Sequence, residues 1–367
     1  MNSHADFSFL RNYGAEPVGF TPPQPLLAEA DPDSPAKCTV ELDHEMAAAD
    51  WKAVIVGEAP AQLDEYPVRF IDGSIYSLPV LCLKAPAGWP IPILMVEVGA
   101  VALRLDGRRF TRTFALVERL LSFVADPFPW AEVESFAATI CNDSGLEARL
   151  VTANLPSAKG DPPVPPNCFD YELMRQQAFH RCEQDMLNAE RLALAADPNV
   201  PTLVDGKLAG RIGERAAQAR PLVVGIVKRT APDLHPEGWR VLLDLRPGQR
   251  TPVFKLTGKV KEKLADMPTA SWFLKLAGGP RLAPNWGFVR VDVPWVQFPE
   301  VDRFGFVNRL SRWLIDARCR TESYARMPVS LDPIVRAEEA IKPLFSPLPL
   351  LVNRIYRRAG LFRRTEP

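Results

Sequence analysis

Val68-Arg69-Phe70-Ile71-Asp72-Gly73-Ser74 decides how the chain is read. Val, Phe and Ile favour a pleated, buried strand, whereas Asp is a poor strand residue, so a carboxylate closing this apolar run needs a reason. Gly73 permits a sharp turn and Asp-Gly is a common hairpin signal; taken alone, the pair reads as a turn. A second copy alters the reading. Leu203-Val204-Asp205-Gly206-Lys207-Leu208 has the same form, an apolar strand, Asp-Gly, then a return to apolar residues. Two strands that each end in Asp-Gly bring Asp72 and Asp205 to one edge of a sheet, an arrangement suited to divalent cations.

The chain around these two stretches has 367 residues, enough for one large domain or two. Its 47% hydrophobic content suffices for a full core. Lys+Arg and Asp+Glu balance at 44 each, so net charge points to no class of partner and only local charge is informative. Prolines cluster. Pro17, Pro22, Pro23, Pro25, Pro32 and Pro35 mark residues 1–66 as an N-terminal extension, and Asp161-Pro162-Pro163-Val164-Pro165-Pro166 closes an irregular insertion over about 125–170. Residues 67–345 read as the main domain and 346–367 as a basic tail. The six cysteines are scattered without a C-x-x-C pair, which predicts reduced thiols. The four histidines have no zinc-like spacing. The first residues lack a basic segment followed by an apolar one, and no run of about 18 apolar residues occurs; a cytoplasmic protein without a membrane partner is expected.

From Val68 the pattern is β-rich. Leu78–Leu83, Ile91–Leu103 and Phe110–Phe114, with a turn at Asp106-Gly107, form an antiparallel meander that has Asp72 on its first strand. Glu97, in mid-strand, reads as a solvent-facing or edge residue. Val117–Val124 reads as a helix. Tyr171–Ala196 is a long helix whose buried stripe is Phe179, Cys182, Met186, Ala189 and Ala193. Glu183 and Glu190 adjoin that stripe, and either could reach the level of Asp205, with Glu183 favoured. Leu222–Thr230 is a buried strand ending in Lys228 and Arg229, cations suited to a phosphate. Trp239–Leu245, Val253–Leu256, Trp272–Leu276 and Phe288–Val293 are strand candidates, and Val307–Arg318 is an amphipathic helix. A last helix runs from Asp332, with Pro333 in its first turn and Glu338 beside an inward face of Ile334, Ala337 and Ile341. In the tail, Arg357 and Arg358 are interleaved with apolar residues in a way that suits phosphate backbones. No G-x-x-x-x-G-K-[ST] loop is present.

Three pieces in this order resemble the NurA nuclease family over roughly residues 66–345: Ile71-Asp72-Gly73-Ser74, the glutamate helix followed by Leu203–Leu208, and Val224-Gly225-Ile226-Val227-Lys228, which fits the family's G-[IV]-x-K strand. The resemblance implies an α/β fold with an RNase H-like mixed sheet flanked by helices. It implies a metal-dependent deoxyribonuclease, of single-strand endonuclease and 5′–3′ exonuclease type, using Mn²⁺ or Mg²⁺. Its setting would be DNA end processing, in repair or defence, with a HerA-type hexameric ATPase as partner and a homodimeric assembly. By position, Asp72 and Asp205 match the metal aspartates, and Glu183 or Glu190 the helix glutamate. Glu338 stands where the family has a histidine, and Lys207 where a serine usually follows Asp-Gly. The implied chemistry is two-metal phosphodiester hydrolysis on Asp72, Asp205, Glu183 and Glu338, with Lys228 or Arg229 neutralising a phosphate oxygen. The competing expectation is a catalytically silent RNase H-like module that binds DNA or an ATPase.

Overall fold

The computed structural model describes residues 7–18, 38–58, 66–86, 88–154, 170–228, 234, 236–258, 267–278 and 286–361. The chain begins with α1 (Ser8–Asn12) and three short strands, β1 (Glu16–Pro17), β2 (Cys38–Glu41) and β3 (Val54–Ile55). The meander follows as β4 (Arg69–Lys84), β5 (Pro90–Asp106) and β6 (Arg109–Val124). Next come α2 (Trp130–Cys141), β7 (Ala148–Ala153), α3 (Tyr171–Ala196), β8 (Thr202–Asp205), α4 (Glu214–Gln218) and β9 (Val223–Val227). The last part holds α5 (Pro236–Asp244), β10 (Gln249–Arg250), β11 (Phe254–Gly258), β12 (Thr269–Lys275), β13 (Phe288–Pro294), α6 (Arg303–Asp316), α7 (Asp332–Ile341) and α8 (Leu348–Ala359).

All the strands join one mixed sheet, with the main path β2-β11-β12-β13-β9-β8-β4-β5-β6-β7. Strands β4, β5 and β6 pair antiparallel, β8 lies parallel to β4, and β9 parallel to β8. The segment β6-β5-β4-β8-β9 is thus the RNase H-like arrangement, a three-strand meander continued by two parallel strands through a helical crossover. Strand alternation sorts the core onto two faces. Ile71 and Val204 meet Ala189 and Ala193 of α3 on one face. Phe70, Leu203 and Val224 meet Val307, Leu310 and Leu314 of α6, with Ile334 of α7, on the other. Arg69, fully buried, fastens the first of these layers: its Nη1 donates to the Asp197 carbonyl at 2.9 Å and its Nη2 to the Ala193 carbonyl, two acceptors at the end of α3 left without a helical partner.

Several expectations change. Asp72-Gly73 is not a turn: β4 runs without interruption through both residues. Val117–Val124 is the second half of β6, not a helix; both faces of the sheet are covered there, so Leu120, Leu121, Phe123 and Val124 are all buried and the segment lacks the alternation that separates strand from helix. Trp239–Asp244 belongs to helix α5, which buries Val241 and Leu242, with Leu245 just after it, against Phe254 and leaves Trp239 and Leu243, four apart, exposed. The span 125–154 is ordered as α2 and β7, whereas the Pro-rich stretch 155–169 lies outside the described residues. The described parts of 1–66 are built into the sheet: β1 pairs with β4, β2 with β11 and β3 with β10. Glu97 is wholly buried, bound by Arg119 Nε at 2.9 Å and the Ser346 amide at 2.7 Å. Among the described residues no helix is long and apolar enough to cross a membrane.

Candidate functional site

Ile71 on β4 is in register with Val204 on β8, so the next residues, Asp72 and Asp205, face each other across one strand spacing of about 4.8 Å. Asp205 is in turn paired with Ile226 of β9, and Lys228 follows two positions on, on the same face. Its Nζ reaches Asp205 Oδ2 at 2.5 Å. On its other side Asp72 is paired with Val101 of β5, and there α7 lies over the sheet, with Ala337 and Ile341 packed on Val101 and Leu103. Glu338, the next residue of α7, borders the same space. Burial and the neighbouring Asp205 charge push the Asp72 carboxyl well above its ordinary range; Lys228 opposes the shift, and Glu190 and Glu338 add to it. Among the described residues no basic side chain forms an ion pair with Asp72.

Gly73 follows Asp72 on a regular strand, so its side-chain direction is the opposite face. Glu190 of α3 fills that direction: a Cβ on Gly73 would lie 2.6 Å from Glu190 Oε1. The glycine therefore serves a close approach of helix to strand. Glu190 is 2% exposed, accepts the Gly73 amide hydrogen, and is paired with Arg211 Nε at 2.6 Å. Its burial raises the carboxyl pKa against the pull of Arg211. The second Asp-Gly does turn. Gly206 has φ +112°, a backbone region L side chains avoid, and the Arg211 guanidinium lies within 2.8 Å of where its Cβ would stand.

Glu338 is held by three donors: Tyr324 Oη at 2.5 Å, Arg326 Nη2 at 2.7 Å and Lys342 Nζ at 3.0 Å. Burial raises its pKa, but the bonds from Tyr324 and Lys342 and the Arg326 charge outweigh this and lower it. Burial and that same bond push the Tyr324 hydroxyl up to about 12.

The structure thus sets Asp72, Asp205 and Lys228 side by side on one face, with Glu338 bordering them and Glu190 behind the sheet at Gly73. Glu183 is not among them. It lies two helical turns from Glu190, about 10 Å along the axis, and is bound to His180 Nδ1 at 2.7 Å on a part-exposed surface. The helix glutamate nearest Asp72 is Glu190, on the other face of β4, because α3 meets the sheet where Gly73 leaves room for it. Arg229 lies outside the described residues. The tail arginines sit elsewhere: α8 docks by Tyr356 Oη on the Val80 carbonyl, eight residues along β4 from Asp72 or about 26 Å, and Arg358 is engaged with Asp143 at 2.8 Å. Sequence reasoning missed Arg211, Tyr324, Arg326 and Lys342. Lys342 stands four residues after Glu338, a helix pairing that the sequence does show; Arg211 and Arg326 arrive from loops and had no periodic signal.

Among the described residues no three His, Cys, Asp or Glu side chains converge as a ready-made cation site. The donors present are all carboxylate oxygens, the type hard divalent ions take. Ions such as Mg²⁺ are commonly held by one or two protein carboxylates, with water and substrate phosphate completing the shell, so the Asp72–Asp205 pair fits that need.

Fold and site together define an RNase H-like α/β protein with an acidic cluster on neighbouring parallel strands of its central sheet. No family model matches the sequence, and no curated protein does. Among solved structures the chain is similar to the crystal structure of the NurA nuclease from Sulfolobus solfataricus, at 11% identity and a TM-score of 0.40, over 86% of this chain and 89% of that one.

Proposed function

We propose that the protein is a nuclease that hydrolyses phosphodiester bonds in DNA with a divalent cation, Mn²⁺ or Mg²⁺, at Asp72 and Asp205. The observation that carries this reading is the placement of those two carboxylates side by side on adjacent parallel strands, with Lys228 closing the same face. Asp72 supplies an anion that its surroundings disfavour and that a cation would stabilise. Asp205 shares its charge with Lys228, whose ammonium stands ready to exchange that carboxylate for a phosphate oxygen. Glu190, through the Gly73 amide, fixes the strand that carries Asp72. Divalent ions at such a site supply an acidified water and charge for the leaving oxygen. Action on DNA ends with a HerA-type hexameric ATPase, as a homodimer, completes the proposal and draws its support from the order of motifs in the sequence.

A catalytically silent DNA- or ATPase-binding module is favoured by a different observation: Asp205, Glu190 and Glu338 are each already paired with a cation. One experiment separates the two. Single-stranded DNA labelled at the 5′ or 3′ end is incubated with the purified protein and with Asp72→Ala, in Mn²⁺, Mg²⁺ or EDTA. Cleavage by the native protein alone, abolished by EDTA, is expected. DNA binding without cleavage under every metal condition would replace the nuclease with the silent module.

A further inference from the structure

On the α3 face of the sheet, behind Glu190, lies a cavity of about 260 Å³ between α3, the loop after Gly206 and α4. Arg191, Arg211 and Arg220 line it, with Leu194, Gly210 and Ala216 between them. Each guanidinium is held by one side and leaves another unused. Arg191 donates through Nε to the Gly210 carbonyl and through Nη1 to Asn188 Oδ1 at 2.8 Å. Arg211 donates through Nε to Glu190 and through Nη1 to the Lys207 carbonyl at 2.6 Å. Arg220 donates through Nη1 to the Leu194 carbonyl at 2.8 Å. Among the described residues the Nη2 groups of all three have no protein acceptor. Arg211 has Glu190 as counter-charge, but no carboxylate pairs with Arg191 or Arg220, and burial alone lowers the Arg220 pKa. Three guanidiniums anchored on backbone carbonyls around one cavity, only one of them balanced by a carboxylate, offer donors to an anion with several acceptor oxygens.

We infer that this cavity binds a phosphate group. Three guanidiniums on one cavity supply donors for the several oxygens of a phosphate, and their anchoring lowers the ordering cost of binding. Two sources share this chemistry: a backbone phosphate of a nucleic acid strand, and free phosphate. The cavity stands on its own geometry; only the nucleic-acid source rests on the nuclease reading.

The test uses the full chain in EDTA, so that cleavage plays no part. Native protein and the Arg191→Ala/Arg220→Ala double variant are melted in sodium phosphate and in sodium chloride of matched ionic strength. Phosphate is expected to raise the melting temperature of the native protein above the chloride value and to leave the double variant unmoved. Fluorescence anisotropy with a single-stranded oligonucleotide lacking terminal phosphates identifies the source. For a backbone phosphate the double variant binds about 10-fold more weakly, and the slope of log K against log salt shrinks by about 1.4 for two lost contacts. Unchanged DNA affinity with a lost phosphate shift assigns free phosphate. Ala216→Glu leaves the arginine anchors in place and puts a carboxylate in the cavity; it must abolish the phosphate shift even where the double variant fails to fold. A phosphate shift retained in Ala216→Glu, or no phosphate-specific shift in native protein together with unchanged DNA affinity in either variant, overturns the inference. Cleavage by the native protein in Mn²⁺, measured separately, stands or falls without reference to this cavity.

Discussion

Gly73→Ala is the perturbation whose cost can be worked most directly from the geometry. The new methyl would lie 2.6 Å from Glu190 Oε1, 2.8 Å from Cδ and 2.9 Å from Cγ, so the carboxylate must leave its place. Leaving breaks its bond from the Gly73 amide and its 2.6 Å pair with Arg211, whose side chain is only 10% exposed and would be stranded. Breaking a buried ion pair costs about 3–5 kcal/mol, and displacement rather than deletion of one partner recovers a part, which leaves about 2–4 kcal/mol. Urea unfolding followed by tryptophan fluorescence and far-ultraviolet circular dichroism reads this as a lower midpoint with an unchanged slope. The decisive measurement is a double-mutant cycle with Glu190→Ala. Once the glutamate is truncated the methyl meets nothing, and alanine in a strand is favoured over glycine by up to about 1 kcal/mol, so Gly73→Ala should then be neutral or stabilising. Equal destabilisation in both backgrounds would refute the assignment of Gly73 to the close approach of Glu190.

Four further outcomes follow from the site. Glu190→Gln should lower cleavage by 10-fold or more, on the order of the loss of a positioning contact, while Glu183→Gln stays within about 2-fold of native; the reverse order in a labelled-DNA assay would restore Glu183. Asp72→Asn should abolish cleavage yet stabilise the fold at neutral pH. The native state raises the Asp72 pKa, so it binds the proton more tightly than the unfolded chain, and stability drawn from this group is complete below about pH 4 and lost as pH rises through the folded value; the variant's advantage in urea must therefore vanish in acid. Mn²⁺ should raise the melting temperature of native protein and not that of Asp72→Asn, as read by thermal unfolding at fixed pH. The Cys182 thiol, pushed by burial to about 12, should resist a thiol reagent at pH 8 until the protein unfolds, whereas exposed Cys141 reacts at once.

The long helix Tyr171–Ala196 was legible to the residue, because its apolar stripe recurs at helical spacing over about four turns and Pro198 ends it. The echo of Asp-Gly after two apolar runs did locate Asp72 and Asp205, which the register of β4 on β8 sets level. Gly73 shows why the motif was read partly wrongly. Its neighbour in space is 117 residues away in the chain, and nothing local distinguishes a glycine that turns from one that makes room. The sequence could not separate Glu183 from Glu190 for the same reason: the two share a helix face, and only the height at which α3 crosses β4 distinguishes them, a height set by Arg69 at the helix end. Val117–Val124 and Trp239–Leu245 exchanged identity because short segments of mixed apolar and polar residues carry too few positions to fix a period. Arg326, which binds Glu338, comes from irregular backbone, where no period exists to be read.

One feature of the fold bears on how the protein is made. Phe7, Phe9 and Leu10 share a cluster with Phe123 and Phe136, and the lid over that cluster is Leu351, Ile355 and Ala359 of α8. During synthesis the early part of the cluster leaves the ribosome long before its lid. The interval from Met174 to Leu351, at roughly 5–20 residues per second, is on the order of ten to thirty seconds. For that time a large aromatic surface stands uncovered, and the face bearing Asp72 lacks α7. The nascent chain is therefore a natural client for chaperones, and release truncated before Glu338 would leave both the core and the acidic cluster unfinished.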